Sequence, residues 1–580
     1  MSHPPSPAAS LRATDAGTAQ DTVADVYLRA LARHGAVWLF SNAGTDFPPL
    51  IEAYERAFRQ GAQVPIPVLV PHENVAVGMA YGAALATGAP QVIMVHVGVG
   101  TANAVCGLFN AARAQVPLIL TAGRTPILEE GRLGARNNYI NWAQEMFDQA
   151  SMVRELVKWD YELRDAAQVD AVVDRAFAAA ASCPPGPSYL VLPREVLSAP
   201  AMAVPVPAAV APVPAARARK QDIDSLAAAL ACAQRPVIVT SDIGRNAAGF
   251  HQLAAFAQRW AIPVAQYRPR YANLPTNHPM FTGYNPNPWI LDADCVLIIE
   301  SDVPWLPCEC TAPADALVAQ IGRDPLYLGY PMRGFPSTLS IAADPALVLS
   351  DLDAALECRQ DAALVAQLAR RAHQVRERTA ALRQPAQIPV GLNSRYVSRC
   401  LAECFDDDTV LINEYPFTLE ELKVAQPGCF YAHSPAAGLG WGTGMSLGIK
   451  IAQPTRKVVL TVGDGSYMFG NPSAAHFVAR ALALPVLTVI YNNRRWAAVH
   501  RATLSLYPNG MAAANAQPPL TCLEPSPDYE RIVEASGGLG IRVDQVEDLR
   551  PALQRAFEAI AQGRQAVVNV LTEANYTRTA

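Results

Sequence analysis

KVVLTVGDG, residues 457–465, is the stretch whose reading decides the fold. Its first six residues are almost all apolar or β-branched, as expected for a strand buried on both faces. It ends in a carboxylate, Asp464, flanked by Gly463 and Gly465. PVLTVIYNN, residues 485–493, has the same form: an apolar strand, then polar residues at its end. Between Gly465 and Asn492 lie 26 residues. Open α/β sheets bind ligands beyond the carboxyl ends of their strands, where Asp464 and Asn493 both fall. Glycine lets a phosphate approach the backbone, and a helix start beyond it favours an anion. Mg²⁺ prefers octahedral oxygen ligands and takes few protein groups plus phosphate oxygens. The two strand ends therefore read as a site for a metal-bound diphosphate, with Gly463, Gly465 and Ser466 along the phosphates. Taken alone, Gly-Asp-Gly and Asn-Asn are also common turn sequences.

Strand and helix patterns alternate on either side of this stretch. TVLINE (409–414) and AVVNVLTEA (566–574) complete the strands of a unit over 389–580. A charged, Ala-rich helical linker over 359–388 precedes it. RPVIVTSDIG, IPVAQY and DCVLIIESD mark strands of a unit over 221–358, and 201–220, rich in Pro and Ala, suits an extended linker. VADVYLRALARHG reads as a helix, and AVWLF, QVIMVHV, PLILTAG and SYLVLP as buried strands, of a unit over 21–200. The fold expected is α/β, with three doubly wound parallel-sheet domains. Residues 1–20 are expected to be a disordered tail.

Composition narrows the function. The 580 residues carry a net charge of −5, only 17% are charged, and there is no basic block. Nucleic acid and anionic membrane are therefore not expected as partners. Eleven scattered cysteines without a CxxC pair fit reduced thiols in a cytoplasmic enzyme. The amino-terminal stretch lacks the apolar core of a secretory signal, and no apolar run approaches the length of a membrane helix.

A second motif lies far upstream. In VLVPHENVAVGMAYGAALATG (68–88) a strand-like run leads to His72-Glu73-Asn74, and then a helix of small residues begins. Ala76, Gly78, Ala80, Gly82, Ala83 and Ala84 permit close packing. An ordinary reading of Glu73 is a first-turn glutamate that suits the helix dipole.

Together the two motifs resemble the thiamine diphosphate (ThDP) enzymes, and within them the acetolactate synthase-like group. The resemblance implies three domains: pyrimidine-binding, central and diphosphate-binding. It gives Glu73 the activating role, a carboxyl that hydrogen-bonds the aminopyrimidine ring; burial in an apolar setting would raise its proton affinity. It makes ThDP and Mg²⁺ the cofactors, with side chains of Asp464 and Asn493 and the carbonyl of Arg495 on the metal. AGLGWGTGMSLG (437–448) resembles the stretch beneath the thiazolium ring and places Leu439 as the apolar wedge.

Other segments match more loosely. SNAGTDFPPLIEA (41–53) resembles the first active-site turn and places Thr45 and Asp46 near the reacting carbon. HVGVGTANAVCGLFNA (96–111) resembles a glycine-rich turn and helix, and NYINWAQEMFDQ (138–149) makes Gln144 and Glu145 pocket candidates. His96 and His278 are candidates for proton transfer, since histidine titrates near neutrality.

Departures matter too. IIESDVPWLPCECTAP (298–313) lacks the family's flavin-contact run, so FAD is not expected. RRWAAVHRA (494–502) departs from the usual specificity segment. Few residues follow the last strand, which leaves little material for the long lid of ThDP enzymes that act on CoA thioesters.

The expected function is ThDP- and Mg²⁺-dependent cleavage or formation of a carbon–carbon bond at a 2-oxo acid. Its enamine would be captured by a proton or a second carbonyl, in a homodimer or homotetramer. A CoA-thioester lyase or decarboxylase is the rival within the same chemistry, with Arg268, Arg270 and Arg323 as the only basic candidates nearby. A catalytically silent binding or assembly subunit is the rival from another class; the presence of Glu73, Asp464 and Asn493 argues against it.

Overall fold

The computed structural model describes residues 20–202, 208–384 and 386–573. Three parallel sheets lie in chain order, each flanked by helices. The first holds β1 (Trp38–Ser41), β2 (Ile66–Leu69), β3 (Gln91–Val95), β4 (Leu118–Arg124), β5 (Asp160–Glu162) and β6 (Ser188–Pro193), in the order β2-β1-β3-β4-β6-β5. The second holds β7 (Pro236–Thr240), β8 (Val264–Gln266), β9 (Cys295–Ile299), β10 (Leu317–Gly322) and β11 (Leu339–Ala342), in the order β11-β10-β9-β7-β8. The third holds β12 (Thr409–Glu414), β13 (Phe430–Ala432), β14 (Lys457–Gly463), β15 (Val486–Asn492), β16 (Leu539–Val543) and β17 (Ala566–Leu571), in the order β13-β12-β14-β15-β17-β16.

The first and third sheets share one order, with a reversed strand pair at each edge and two consecutive strands between them. The central strands β3, β14 and β15 are buried almost throughout, because helices cover both faces. In register, Thr461 faces Val489 and Gly463 faces Tyr491, so the polar ends of β14 and β15 emerge side by side.

Two helices of small residues weld the first unit to the third. Glu73–Thr87 follows β2, and Trp441–Ala452 precedes β14. Their backbones touch. A β-carbon at Gly448 would lie 2.0 Å from the carbonyl oxygen of Met79, and one at Gly82 would lie 2.3 Å from that of Met445. The small residues at 76–84 therefore serve helix–helix contact. Met79, Ala80, Trp441, Met445 and Ile449 lie in a core continuous with both sheets.

Two expectations about connections meet different outcomes. Of the expected Pro/Ala linker 201–220, residues 208–219 lie in no helix or strand, Lys220 begins the next helix, and residues 203–207 lie outside the described residues. The helix Ala362–Thr379, expected as a linker, instead packs on the central unit. Leu364 and Val375 enter its core, and the Arg371 Nη2 donates to the Leu230 carbonyl at 2.8 Å. Its charged composition hid a stripe of buried residues on one side. The expected tail, 1–20, lies outside the described residues except for Gln20. Among the described residues no helix is long and apolar enough to cross a membrane.

Candidate active site

Polar side chains gather at the carboxyl ends of β1, β2 and β3. Glu73 is the first residue of its helix and is buried. The Asn42 Nδ2, at the end of β1, donates to Glu73 Oε1 at 2.9 Å. The Asn103 Nδ2 donates to Glu73 Oε2. Asn103 lies on the helix Val97–Arg113, and Gly100 of that helix lets the carboxylate lie against its first turn. A β-carbon at Gly100 would stand 3.2 Å from Glu73 Oε1. The stretch 96–101 is thus no glycine-rich turn. Its glycines sit inside the helix, where they admit neighbouring side chains.

His96 caps the same helix. Its Nδ1 lies 2.5 Å from Asp46 Oδ1, and the other oxygen of Asp46 accepts from the Val97 N–H at 3.4 Å. Asp46 is only 3% exposed, and glycines on both sides make room for the pair. A β-carbon at Gly44 would strike the His96 ring, and one at Gly123 would strike the Asp46 carboxylate. Val97 holds φ 27°, an unusual backbone for a β-branched residue. The Nε2 edge of His96 faces the Gln144 amide at 3.4 Å. Asp46, His96 and Gln144 are therefore one cluster.

Other predicted residues are placed differently. The Thr45 side chain is exposed, while its carbonyl accepts from Arg194 Nη1 at 3.1 Å. Glu145 is drawn away from the cluster by Arg124 and Arg136, at 2.7 and 2.9 Å. His278 does not join the site. It lies buried in the central unit, with Nε2 against the Ala254 carbonyl at 3.1 Å and Nδ1 accepting from the Met280 N–H at 3.2 Å. Both ring nitrogens are engaged by backbone, and burial lowers its proton affinity, so it is a structural histidine.

The second half of the site lies at the ends of β14 and β15. Asp464 begins the short helix Asp464–Phe469 and is 2% exposed. Burial pushes its carboxyl up to about 6, against hydrogen bonds from the backbone of 464–465 and 494–495. Its Oδ2 is buried without a protein partner. Asn493 Oδ1 accepts from the Arg495 N–H at 3.1 Å, and Arg494 turns at φ 60°. Asn492 is spent structurally, donating to Asn569 and Ser526 at 3.1 and 3.0 Å. The Arg495 carbonyl accepts from the Ala497 N–H at 2.9 Å. A β-carbon at Gly463 would meet nothing within 4 Å, whereas one at Gly465 would strike the Trp496 ring at 2.5 Å. Gly463 thus faces open space, and Gly465 is small because an indole covers it.

Leu439 sits, half-buried, in a turn gripped from two directions. Asn110 donates to the Gly438 carbonyl at 2.9 Å and accepts from the Gly438 N–H at 3.0 Å. The N–H groups of Gly440 and Gly442 both donate to Glu414, each at 2.7 Å.

Two family models match at these places. The N-terminal TPP binding domain of the thiamine pyrophosphate enzymes covers residues 21–152, and the C-terminal TPP binding domain covers residues 415–570. The chain is a thiamine diphosphate-dependent enzyme. Benzoylformate decarboxylase of Pseudomonas aeruginosa is 28% identical, over 95% of this chain and 99% of that protein. The acetolactate synthase large subunit of Lactococcus lactis is 23% identical, over 91% and 89%. In fold, the chain is similar to the ThDP-dependent 4-hydroxybenzoylformate decarboxylase of Rhodococcus jostii. The TM-score is 0.76 at 21% identity, covering 96% of this chain and 100% of that one.

The second half fits a metal-bound diphosphate on its donor set. A buried carboxylate oxygen without a partner is costly unless a cation meets it, and Asp464 Oδ2 is such an atom. The backbone of 494–495, next to the Asn493 amide, reaches the same carboxylate, and Gly463 beside it faces open space. Among the described residues no three His, Cys, Asp or Glu side chains cluster as metal ligands; Mg²⁺ bound with phosphate oxygens needs no such cluster.

Asn42, Asn103, Asn110 and Glu414 were not legible as site residues in the sequence. The one available signal was position: Asn42 follows β1 in the loop that carries Asp46, and Glu414 ends β12 at the carboxyl edge of the third sheet.

Proposed function

We propose that this enzyme decarboxylates a 2-oxo acid with ThDP and Mg²⁺ and releases the remaining fragment as an aldehyde after protonation. The observation that carries this reading is the Asp46–His96 pair, set against the same helix turn as Glu73. When bound, ThDP supplies the nucleophilic carbon that adds to the keto carbonyl and takes up the electrons freed with carbon dioxide. Glu73 would hold and share a proton at the aminopyrimidine ring, with Asn42 and Asn103 fixing its two oxygens. Asp46 orients His96 through Nδ1, so that the Nε2 edge, beside Gln144, can deliver a proton to the product. Asp464, Asn493 and the Arg495 carbonyl would hold Mg²⁺, and Leu439 would support the cofactor from below.

Similarity to a protein named benzoylformate decarboxylase makes an aromatic 2-oxo acid the first substrate to try. Pyruvate, with capture by a second carbonyl, is the test of the acetolactate-type reaction. The CoA-thioester reading loses its basic patch. Arg270 is buried between Asp242 and Asp302, at 2.5 and 2.8 Å, and Arg323 is half-buried and paired with Glu300. Of the three arginines only Arg268 is exposed.

A homo-oligomer in which the first unit of one copy meets the third unit of another is part of this proposal. Exposed Val99 and Phe109 on one helix, and Met468, Phe469 and Phe477 near the other half-site, are apolar groups that a second copy could cover.

The test is proton NMR of products from purified protein with ThDP, Mg²⁺ and either benzoylformate or pyruvate, beside Glu73→Gln. Benzaldehyde, or acetaldehyde from pyruvate, supports the proposal. Acetolactate alone would replace proton capture by carboligation. No turnover of any 2-oxo acid, with ThDP bound, would refute it in favour of a silent subunit.

A further inference from the structure

Glu414 ends β12 at 1% exposure, and among the described residues no basic side chain faces it. Its partners are all neutral donors. Oε1 accepts from the Gly440 N–H, Oε2 accepts from the Gly442 N–H, and the Ser466 hydroxyl donates as well. A carboxylate buried without a counter-charge is expensive. It is retained where several donors converge and only an acceptor with two oxygens can serve them.

The three donors belong to the two segments that build the cofactor half-site. Gly440 and Gly442 flank the start of the Trp441–Ala452 helix, where first-turn N–H groups have no intrahelical acceptor. Ser466 follows Asp464 in the first turn of the helix Asp464–Phe469. The turn has no slack. Gly440 holds φ 74°, and a β-carbon there would strike Gly470 Cα at 2.5 Å. The Thr443 hydroxyl bridges the carbonyls of Gly440 and Gly470, at 2.9 and 3.1 Å. Asn110, from the first unit, clamps Gly438 on the other side of Leu439.

We infer that Glu414 is a positioning residue whose carboxylate locks the Leu439 turn to the first turn of the Asp464–Phe469 helix. The inference rests on the proposed reading that this turn supports the cofactor. Glutamine at 414 keeps the volume but offers one acceptor oxygen and one amide donor. It therefore sets N–H against N–H at Gly440 or Gly442.

The experiment is hydrogen exchange by mass spectrometry on the cofactor-free full chain, wild type and Glu414→Gln, followed by ThDP titration and steady-state rates. In the wild type, peptides covering 438–444 should be protected about a hundredfold or more. In Glu414→Gln their exchange should rise about tenfold or more, while peptides from β14 and β15 stay unchanged. At saturating ThDP, kcat should fall about tenfold, with half-saturation by ThDP shifted less than about threefold. Unprotected amides in the wild type would overturn the inference, even if the variant fails to fold. So would wild-type exchange and kcat in the variant, or a rise in exchange spread over the whole third sheet. If the turn loosens as expected but neither protein binds ThDP, the functional reading fails while the lock itself stands.

Discussion

Replacing Asp464 by asparagine should separate the cost of a buried charge from its use. The carboxyl is 2% exposed, one oxygen lacks a partner, and burial lifts it from the ordinary 3.8 to about 6. A carboxyl raised in the folded state costs stability above its folded value, and the cost fades as pH falls from about 6 towards 3.8. That interval corresponds to about 3 kcal/mol at pH 7.5. Asparagine removes the charge but points an amide N–H₂ at the unpartnered position, which takes back about 1–2 kcal/mol. Cofactor-free Asp464→Asn should therefore be more stable than wild type by about 1–2 kcal/mol at pH 7.5. The third unit should unfold a few degrees higher in a thermal scan. At pH 5 the advantage should vanish, because the cost of the carboxyl has fallen to about half and the amide term offsets the rest. Adding ThDP with Mg²⁺ should reverse the order, since ligand binding to the native state stabilises wild type in proportion to its affinity. A variant less stable than wild type at pH 7.5 without cofactor, or one stabilised equally by ThDP and Mg²⁺, would refute the reasoning.

Glu73→Gln should keep ThDP affinity within a few-fold and lower kcat by about 10²–10⁴, the usual range for a lost proton carrier; calorimetry beside steady-state rates checks both, and a fully active variant rejects the role. Asp46→Ala should lower product release about tenfold to a hundredfold with ThDP binding little changed, because His96 loses its orienting partner; equal loss of affinity and rate would assign the pair to cofactor binding instead. His278→Ala should leave kcat within about twofold and cost about 1–3 kcal/mol of stability, since it strips a buried N–H and a buried carbonyl of partners; a specific loss of kcat would return His278 to the site. Gly448→Ala should destabilise by about 1–3 kcal/mol or more, because the new β-carbon has a backbone carbonyl in its place; an unchanged denaturation midpoint would show that the two helices can part at no cost.

The sequence by itself determined the three sheets and the two motifs. Both are local: a run such as KVVLTVG is a buried strand wherever it lies, and Asp464 falls at its end because a strand stops there. Glu73 was legible for the same reason, at a strand-to-helix junction. Tertiary structure decided which side chains meet. His96 and His278 are alike as letters, yet β1 carries Asp46 to one, while two backbone groups of the central unit absorb the other. Glu145 looked as available as Gln144 until Arg124 and Arg136 closed on it from separate segments. Glu414 was only the last letter of a strand, and its importance comes from two N–H groups 26 and 28 residues away in the chain. Hydrogen bonds and ion pairs depend on distances of a few ångströms, and those distances between remote segments are fixed only when the sheets and their helices pack.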